Sequence, residues 1–469
     1  MSDLVALTSI TARAGSAPQA AERAPAARKV FVHTFGCQMN EADSARMLEL
    51  LGRHGFTGTA HPEDADLILL NTCAVREKAE QKLLSALGRY RVHKARRGTI
   101  LAVGGCVAQQ EKGRLLARVP YLDFVFGPDN IGKLPEMIER AGRERFAETG
   151  WMPSEEYLFP RADAEAARGR ATAFVTAMKG CDNVCSFCIV PHTRGREISR
   201  PFAEIVEECA ALADVGVREV TLIGQNVNSY AGGCDFPSLL RRVAAVPALA
   251  RVRFTTSHPH DLSDALVEVF RDEPRVMPHF HLPVQSGSDA VLLRMRRDYT
   301  VAEYMGRFEK LRAARPGIAI TTDFIVGFPG ETDEDFERSM ALLERARFDN
   351  SFSFVYSPRP HTGAIRRIGS APEWVEVPRE VAIARLERLQ AAQRRISSEA
   401  MVRQVGETVE VLVEGALDGE EGRRFGRTPE NRVVHLDAAP AQAPAAALLS
   451  VRVTRAHANS LSGEILVPT

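Results

Sequence analysis

Long apolar stretches and a surplus of either charge are missing from this sequence. No run of about 18 apolar residues occurs, which excludes a membrane-spanning helix. Sixty lysines and arginines balance sixty aspartates and glutamates, so any surface that binds a polyanion must be a local patch. Cysteine is scarce: eight residues in a chain of 469 are too few for a disulfide scaffold. Their clustering instead indicates metal ligation by thiolates, which requires a reducing compartment.

The first 28 residues lack the continuous apolar segment of a secretory signal. They are rich in Ala, Arg, Ser and Pro, but Asp3 and Glu22 argue against a mitochondrial presequence. We therefore expect residues 1–28 to form a disordered tail and the protein to be cytoplasmic.

The most informative pattern is the C-x3-C-x2-C spacing of Cys181, Cys185 and Cys188. Three thiolates this close can bind three corners of a cubane iron–sulfur cluster, and they leave the fourth iron open to a small molecule. The alternative is a structural zinc site, which prefers four ligands. His192 could be the fourth ligand, but no further cysteine follows nearby. The spacing therefore favours the cluster.

A second group of three cysteines follows three strand-like runs, which are separated by helical segments at about 41–53 and 76–95. This βαβαβ pattern predicts a parallel sheet, and the loops after its strands lie along one edge. A lone cysteine is more typical of a buried core, but three at equivalent positions predict a second cluster. The strands are Val30–Thr34, Leu67–Leu70 and Ile100–Val103. The cysteines are Cys37, Cys73 and Cys106.

The middle of the chain alternates six strand-like runs with helical stretches such as Pro201–Val215 and Ala302–Ala314. Six βα repeats predict a parallel barrel that does not close, with its active site at the carboxyl ends of the strands. The loops after the strands are polar and glycine-rich, as a ligand pocket requires. The predicted strands are Phe174–Met178, Glu219–Ile223, Val252–Thr256, His279–Leu282, Ile318–Ile325 and Ser351–Val355.

The C-terminal residues, after a helix at about Val377–Val402, predict a small antiparallel β-barrel of a kind that binds nucleic acid. A basic cluster with one aromatic, Phe425, suits phosphate contact and base stacking. The alternative is a solvated hairpin loop, and residues 402–469 hold seven arginines against nine acidic residues. The predicted strands are Thr408–Gly415, Arg432–Leu436, Leu449–Ala456 and Gly463–Val467. The basic cluster is Arg423, Arg424, Arg427 and Arg432.

These three parts together resemble the radical S-adenosylmethionine (SAM) methylthiotransferases over about residues 29–469. The residues just after the first cysteine, Gln38-Met39-Asn40, resemble the branch that acts on N6-isopentenyladenosine in tRNA. The N-terminal tail and the acidic balance of the C-terminal part depart from the usual pattern. Further matching stretches are Thr34–Asn40, Asn71–Arg76, Gly180–Arg200, Leu222–Tyr230, His281–Ser288 and Gly426–Asn431.

The resemblance implies a methylthiotransferase N-terminal α/β domain at 29–150, a partial (β/α)6 TIM-like radical SAM barrel at 167–400 and a TRAM β-barrel at 402–469. It implies two 4Fe-4S clusters. The one on Cys181, Cys185 and Cys188 generates a deoxyadenosyl radical from SAM, which takes hydrogen from adenine C2. The other cluster presents sulfur, and a second SAM supplies the methyl group. Candidates for the SAM pocket are Gln225, Gly327 and Glu331.

The implied partners are a tRNA anticodon stem-loop, an electron donor such as flavodoxin or ferredoxin, and a sulfur donor, and we expect a monomer. Three alternatives stay open. Relatives of this family modify threonylcarbamoyl-adenosine in tRNA or an aspartate of a ribosomal protein. A tRNA-binding iron–sulfur protein without catalysis is the third, against which the intact open-iron spacing of both groups argues.

Overall fold

A computed structural model describes residues 28–74, 77–157, 159, 161–416, 423–438 and 441–466. The predicted tail at residues 1–28, except for Arg28, lies outside these residues, as do Arg76 of the second predicted helix and Val467 of the last predicted strand. The chain forms two compact units. The first runs to Arg161 and includes Ile189–Arg196, and the second comprises Ala162–Cys188 and the chain from Glu197 onward. Within the described residues, every helix is too short or too polar to cross a membrane.

The first unit is built on a six-stranded sheet in which all neighbouring strands are parallel. The strands are β1 (Arg28–Phe35), β2 (Phe56–Gly58), β3 (Leu67–Thr72), β4 (Ile100–Gly105), β5 (Phe124–Phe126) and β6 (Phe146–Glu148). The helices are α1 (Gln38–Arg53), α2 (Glu77–Arg97), α3 (Cys106–Glu111), α4 (Gly113–Arg118), α5 (Leu134–Ala141) and α6 (Val190–Arg194). The order across the sheet is β2-β1-β3-β4-β5-β6.

Both faces of this sheet are covered, which explains why its central strands are almost wholly apolar. On β3, Leu67 and Leu69 pack into one hydrophobic cluster, whereas Ile68 and Leu70 pack into another. This is the usual burial of a parallel sheet flanked by helices. The predicted strands β1, β3 and β4 are present. Three further strands, β2, β5 and β6, were not predicted because each has only three residues.

The second unit begins with six parallel strands arranged as two three-stranded sheets, β11-β10-β7 and β12-β13-β14. The six strands are β7 (Thr172–Thr176), β10 (Glu219–Ile223), β11 (Arg251–Phe254), β12 (His279–His281), β13 (Ala319–Val326) and β14 (Asn350–Val355). A separate antiparallel pair, β8 (Met178–Lys179) and β9 (Ile198–Ser199), lies between β7 and β10 in the sequence. A parallel β-bridge pairs Val252 of β11 with Val276, which lies just before β12, and so links the two sheets. The predicted open barrel of six strands is therefore confirmed.

Helices cover this barrel and share one continuous core with its strands. Two of them begin at a threonine whose hydroxyl accepts a hydrogen bond from the backbone three residues on, as N-caps do: Thr300 for α11 and Thr332 for α12. The helices are α7 (Phe202–Asp214), α8 (Phe236–Ala244), α9 (Asp264–Asp272), α10 (Asp289–Arg294), α11 (Val301–Ala314), α12 (Asp333–Ala346) and α13 (Arg379–Val402).

The C-terminal strands close into a five-stranded barrel of order β15-β16-β17-β19-β18. Two details differ from the prediction. The segment with Arg423, Arg424 and Arg427 is strand β16, where no strand was predicted, and β17 pairs with β19 in parallel. An odd number of strands cannot close with every pair antiparallel, so one parallel pair is required. The strands are β15 (Thr408–Ala416), β16 (Arg423–Arg427), β17 (Val433–Asp437), β18 (Leu448–Ala456) and β19 (Ser460–Ile465).

Gly105 lies at the junction of β4 and α3, and a substitution there tests how tightly this edge of the sheet is packed. Its φ is +91°, and an added Cβ would lie 2.4 Å from Asn71 Oδ1 and 2.5 Å from the Thr72 carbonyl oxygen. We expect Gly105→Ala to destabilise β4 by more than the about 1–3 kcal/mol that a strained backbone conformation costs. Gly98→Ala is the control, because Gly98 has φ +71° but no atom within 4 Å of the added carbon. Hydrogen exchange of the β4 amides measures the destabilisation in both variants. Equal destabilisation would show that Asn71 and Thr72 move aside at little cost.

Candidate functional site: two cysteine groups

Cys37, Cys73 and Cys106 lie at the carboxyl ends of three adjacent strands of the first unit. Phe35 pairs with Thr72 and Thr72 pairs with Gly105, so the strands β1, β3 and β4 end at the same level. Cys73 hydrogen-bonds to the Cys37 sulfur, and the charge of Cys37 acts on Cys106. The structure therefore brings together three cysteines that are more than 30 residues apart in the sequence.

Two buried asparagines hold this edge of the sheet together. Asn40, in the first turn of α1, donates to Asn71 Oδ1 at 3.1 Å and to the Thr72 carbonyl at 3.2 Å. Asn71 donates back to the Asn40 carbonyl at 2.8 Å. A Cβ on Gly36 would lie 2.5 Å from Asn40 Oδ1 and 2.9 Å from the Cβ of Cys73. Both asparagines belong to stretches that the sequence singled out, but their positioning role became visible only in the structure.

Arg194 is the charged residue of this group, and sequence reasoning missed it. It is the last residue of α6, and its side chain is buried. Nε donates to the Cys106 sulfur at 3.2 Å, and Nη2 lies 2.7 Å from Asp43 Oδ2. Although burial opposes it, the negative charges of Asp43, Cys106 and Cys37 raise the pKa of Arg194. No spacing rule separates Arg194 from the other arginines after Cys188, and so the sequence held no signal for it.

The thiols of this group differ in how readily they ionise. The hydrogen bond from Cys73 lowers the pKa of Cys37 to about 6, with burial opposing and Arg194 assisting. Burial raises the pKa of Cys106, and Arg194 opposes this increase. Only a thiolate binds iron, so the sulfur of Cys37 is ready to do so near neutral pH, whereas Cys106 must lose its proton as the metal binds.

The donor set of each group fits an iron–sulfur cluster. Each group supplies three free cysteines, and a cubane binds each thiolate at a different iron, so that three thiolates leave one iron open. Structural zinc sites use four protein ligands, one more than the three cysteines of either group.

Cys181, Cys185 and Cys188 lie on a loop that follows β8, whose pairing with β9 closes the base of the loop. Burial raises the pKa of Cys181 to about 11, and the charge of Cys185 adds to this increase. The Cys188 amide donates to the Cys185 carbonyl at 3.1 Å. The next residue, Ile189, belongs to the first unit.

Two buried side chains from the barrel reach Cys185. Arg297 Nη1 donates to its sulfur at 3.4 Å, and His258 Nε2 lies 4.0 Å from it. Burial, with Arg297 next, lowers the pKa of His258 to about 2, so this imidazole is neutral. His258 lies in the loop after β11, one of the loops predicted to be polar, and Arg297 was not singled out from the sequence.

The three residues proposed for SAM binding lie in loops after barrel strands. In this structure each takes part in a hydrogen bond between a side chain and a backbone amide. Gln225 Oε1 accepts from the Gly180 amide at 2.5 Å, which holds the start of the cysteine loop. Glu331 accepts from the amides of Gly327 and Phe328. Burial raises the pKa of Glu331 to about 7, and Arg385 opposes this increase.

The four arginines predicted to contact tRNA all have partners within the chain. Arg424 Nε donates to the Ala443 carbonyl at 2.9 Å, and Arg427 Nε lies 3.0 Å from Glu414. The pair of Arg423 and Asp437, at 2.7 Å, has side chains that are 45% and 77% exposed. The pair of Arg432 and Asp349, at 2.9 Å, has side chains that are only 13% and 20% exposed. The four therefore differ in how easily they could exchange a partner for phosphate.

Two arginines of strand β11 attach the C-terminal barrel to the six-stranded barrel. Arg251 donates to the Arg427 carbonyl at 2.8 Å and pairs with Glu410 at 2.9 Å. Arg253 donates to the carbonyls of Pro429 and Thr428 at 2.7 and 2.8 Å. The stretch Gly426–Asn431, one of the segments behind the resemblance, thus forms part of the contact between these barrels.

The two cysteine groups generate a prediction about iron. Anaerobically reconstituted protein should bind about eight irons, four for each cubane cluster. Changing Cys181, Cys185 and Cys188 to Ala should remove about half, and changing Cys37, Cys73 and Cys106 to Ala should remove the other half, because each cluster loses all its protein ligands. Cys234→Ala, a loop thiol, should leave the iron content unchanged. Loss of all iron from either triple variant would contradict independent clusters.

Three known protein families match successive parts of the chain. Residues 29–127 match an uncharacterized protein family, UPF0004. Residues 175–343 match the Radical SAM superfamily, and residues 402–466 match the TRAM domain. Among solved structures, a radical S-adenosylmethionine methyltransferase, TsrM, from Kitasatospora setae aligns with a TM-score of 0.54 at 14% identity. The alignment covers 73% of this chain and 75% of TsrM, and it supports the fold alone.

Curated relatives match nearly the whole chain. A protein of Anaeromyxobacter sp. (strain K) is 76% identical over 99% of this chain and 100% of its own length. One of Myxococcus xanthus (strain DK1622) is 63% identical over 93% of this chain and 94% of its own length. Both are named tRNA-2-methylthio-N(6)-dimethylallyladenosine synthase. With this identity over its full length, the chain belongs to the family of tRNA-2-methylthio-N(6)-dimethylallyladenosine synthases.

Proposed function

We propose that this protein is a radical SAM enzyme that methylthiolates C2 of N6-isopentenyladenosine at position 37 of tRNA, next to the anticodon. The observation that carries the proposal is the 76% identity, over 99% of the chain, to a relative named for this reaction. The Radical SAM and TRAM matches agree with it. The relatives' names do not favour the alternatives, which were threonylcarbamoyl-adenosine and a ribosomal aspartate.

The two cysteine groups have different roles in the proposed reaction. Cys181, Cys185 and Cys188 would bind one 4Fe-4S cluster, and Cys37, Cys73 and Cys106 the other. When bound, the clusters supply radical generation from SAM and a site for the sulfur to be transferred. The chain holds the ligands in place: Gln225 accepts a hydrogen bond at the start of one loop, and Arg194 donates one to the Cys106 sulfur of the other group. Gln225, Gly327 and Glu331 line our proposed SAM pocket.

The remaining assignments follow from this activity. We propose domains at 29–150, 167–400 and 402–469, a tRNA anticodon stem-loop as substrate, and a cytoplasmic monomer. The reaction needs a low-potential electron donor such as flavodoxin or ferredoxin. It also needs a sulfur donor, because sulfur leaves the protein with each product.

Single cysteine changes test the proposed reaction and the division of labour together. With SAM, a strong reductant and tRNA that contains N6-isopentenyladenosine, the unchanged protein should form the 2-methylthio nucleoside, detected by mass spectrometry of digested tRNA. Cys73→Ala should still cleave SAM to 5′-deoxyadenosine but form no product. Cys185→Ser should lose both, because the ligand of the SAM-cleaving cluster is removed. Absence of product from the unchanged protein would contradict the function, and equal loss of SAM cleavage in both variants would contradict only the assigned roles.

The ion pairs of the C-terminal barrel indicate which arginines can reach tRNA. An exposed pair such as Arg423 and Asp437 contributes little to stability, so Arg423 can exchange the carboxylate for a phosphate. The pair of Arg432 and Asp349 is nearly buried, and breaking it would leave a carboxylate without its cation. We propose that Arg423 and Arg424 contact tRNA, and that Arg427 and Arg432 contribute mainly by holding the barrel in position.

Two point variants separate these roles. Arg423→Ala should weaken tRNA binding and reduce the slope of log affinity against log salt by about one, because one phosphate contact is lost. Arg432→Ala should lower the unfolding temperature and leave the salt slope unchanged. Both are measured by tRNA titration at several salt concentrations and by thermal unfolding. An unchanged slope for Arg423→Ala would show that this strand face is only solvated.

A further inference from the structure

Arg297 carries a buried positive charge that no carboxylate neutralises among the residues described. Its side chain donates from Nε to the Tyr299 hydroxyl at 2.9 Å and from Nη2 to the Pro283 carbonyl at 3.0 Å. The third contact, from Nη1, is to the sulfur of Cys185 at 3.4 Å. Arg297 is only 7% exposed. The charges of Tyr299 and Cys185 act on it favourably.

A buried guanidinium without a counter-ion is costly, because hydrogen bonds to neutral oxygens replace only part of its hydration. The other charged or titratable groups nearby do not remove this cost. His258 lies 4.0 Å from the same sulfur and carries no carboxylate, and Arg307 is a second cation that acts on both His258 and Tyr299. A guanidinium that no described carboxylate neutralises therefore lies at the sulfur of Cys185.

The N-terminal cysteine group is arranged differently. Arg194 also donates to a cysteine sulfur, but Asp43 neutralises it at 2.7 Å. One group thus has an arginine whose charge is already balanced, and the other has an arginine whose charge is not. Two clusters of the same type in these surroundings would experience different electrostatic potentials.

We propose that Arg297 is a positioning residue that offsets the negative charge of the cluster on Cys181, Cys185 and Cys188 and raises its reduction potential. The proposal rests on the assignment of these cysteines as ligands. A low-potential one-electron donor adds one electron to this cluster, which makes the cluster more negative. A fixed positive charge beside Cys185 stabilises the reduced form more than the oxidised form, and so it makes this transfer easier.

The test uses full-length protein in which Cys37, Cys73 and Cys106 are changed to Ala, so that a single cluster remains. In this background, Arg297→Gln removes the charge and Arg297→Lys keeps it. Arg296→Gln is the matched control, because Arg296 is the adjacent arginine and is exposed. Each protein is reconstituted anaerobically with iron and sulfide, without tRNA. A redox titration followed by electron paramagnetic resonance gives the midpoint potential.

We expect Arg297→Gln to lower the ratio of reduced to oxidised cluster at a fixed potential at least tenfold, which corresponds to about 59 mV for one electron. Arg297→Lys and Arg296→Gln should stay close to the background protein. If Arg297→Gln fails to bind iron, Arg297→Met, which also removes the charge, takes its place: a shift of at least tenfold supports the proposal, and a potential equal to that of the background overturns it.

Two outcomes would contradict the proposal in different ways. Equal potentials in the Gln variant and the background would show that Arg297 only supports the fold. A background protein that binds no iron would overturn the ligand assignment as well. Neither outcome depends on tRNA, so a failure here is distinct from a failure to form the methylthiolated nucleoside.

Discussion

Both cysteine groups depend on one constraint, which is that negative sulfur must be stabilised where water reaches it only in part or not at all. Iron binds thiolates, yet a thiolate shielded from water needs compensating charge or hydrogen bonds. In this chain guanidinium groups donate such hydrogen bonds, Arg194 to Cys106 and Arg297 to Cys185. Each is buried, and each comes from an element other than the one that carries its cysteine. The sites are therefore products of the tertiary fold.

The parallel sheet explains how much of the first site could be predicted. Leu67–Leu70 and Ile100–Val103 are short apolar runs, and a parallel arrangement forces their following loops to one edge. The convergence of Cys37, Cys73 and Cys106 follows from that topology, without any knowledge of side-chain contacts. The six barrel strands β7 and β10–β14 were predictable for the same reason, since helical and strand-like periodicity alternate clearly there.

Arg194 and Arg297 could not be predicted, because their roles depend on distance in space and not on spacing in sequence. Arg297 is 112 positions from Cys185 in the chain. Its neighbour Arg296 has the same side chain and is exposed, and no local pattern separates the two. Strand β16 was missed for another reason: its sequence, Arg-Arg-Phe-Gly-Arg, has the polarity of a loop, and it pairs on both sides only because the barrel closes.

The arginines of the C-terminal barrel show how charge that resembles a nucleic-acid surface can serve the protein itself. Arg251 and Arg253 donate to the backbone of residues 427–429, and Arg432 pairs with Asp349 of the larger barrel. These contacts are nearly dehydrated, so they fix one barrel on the other. An exposed ion pair has no such cost of separation, which leaves Arg423 able to change partners. Burial, more than the number of arginines, therefore decides which positive charges remain available to a polyanion.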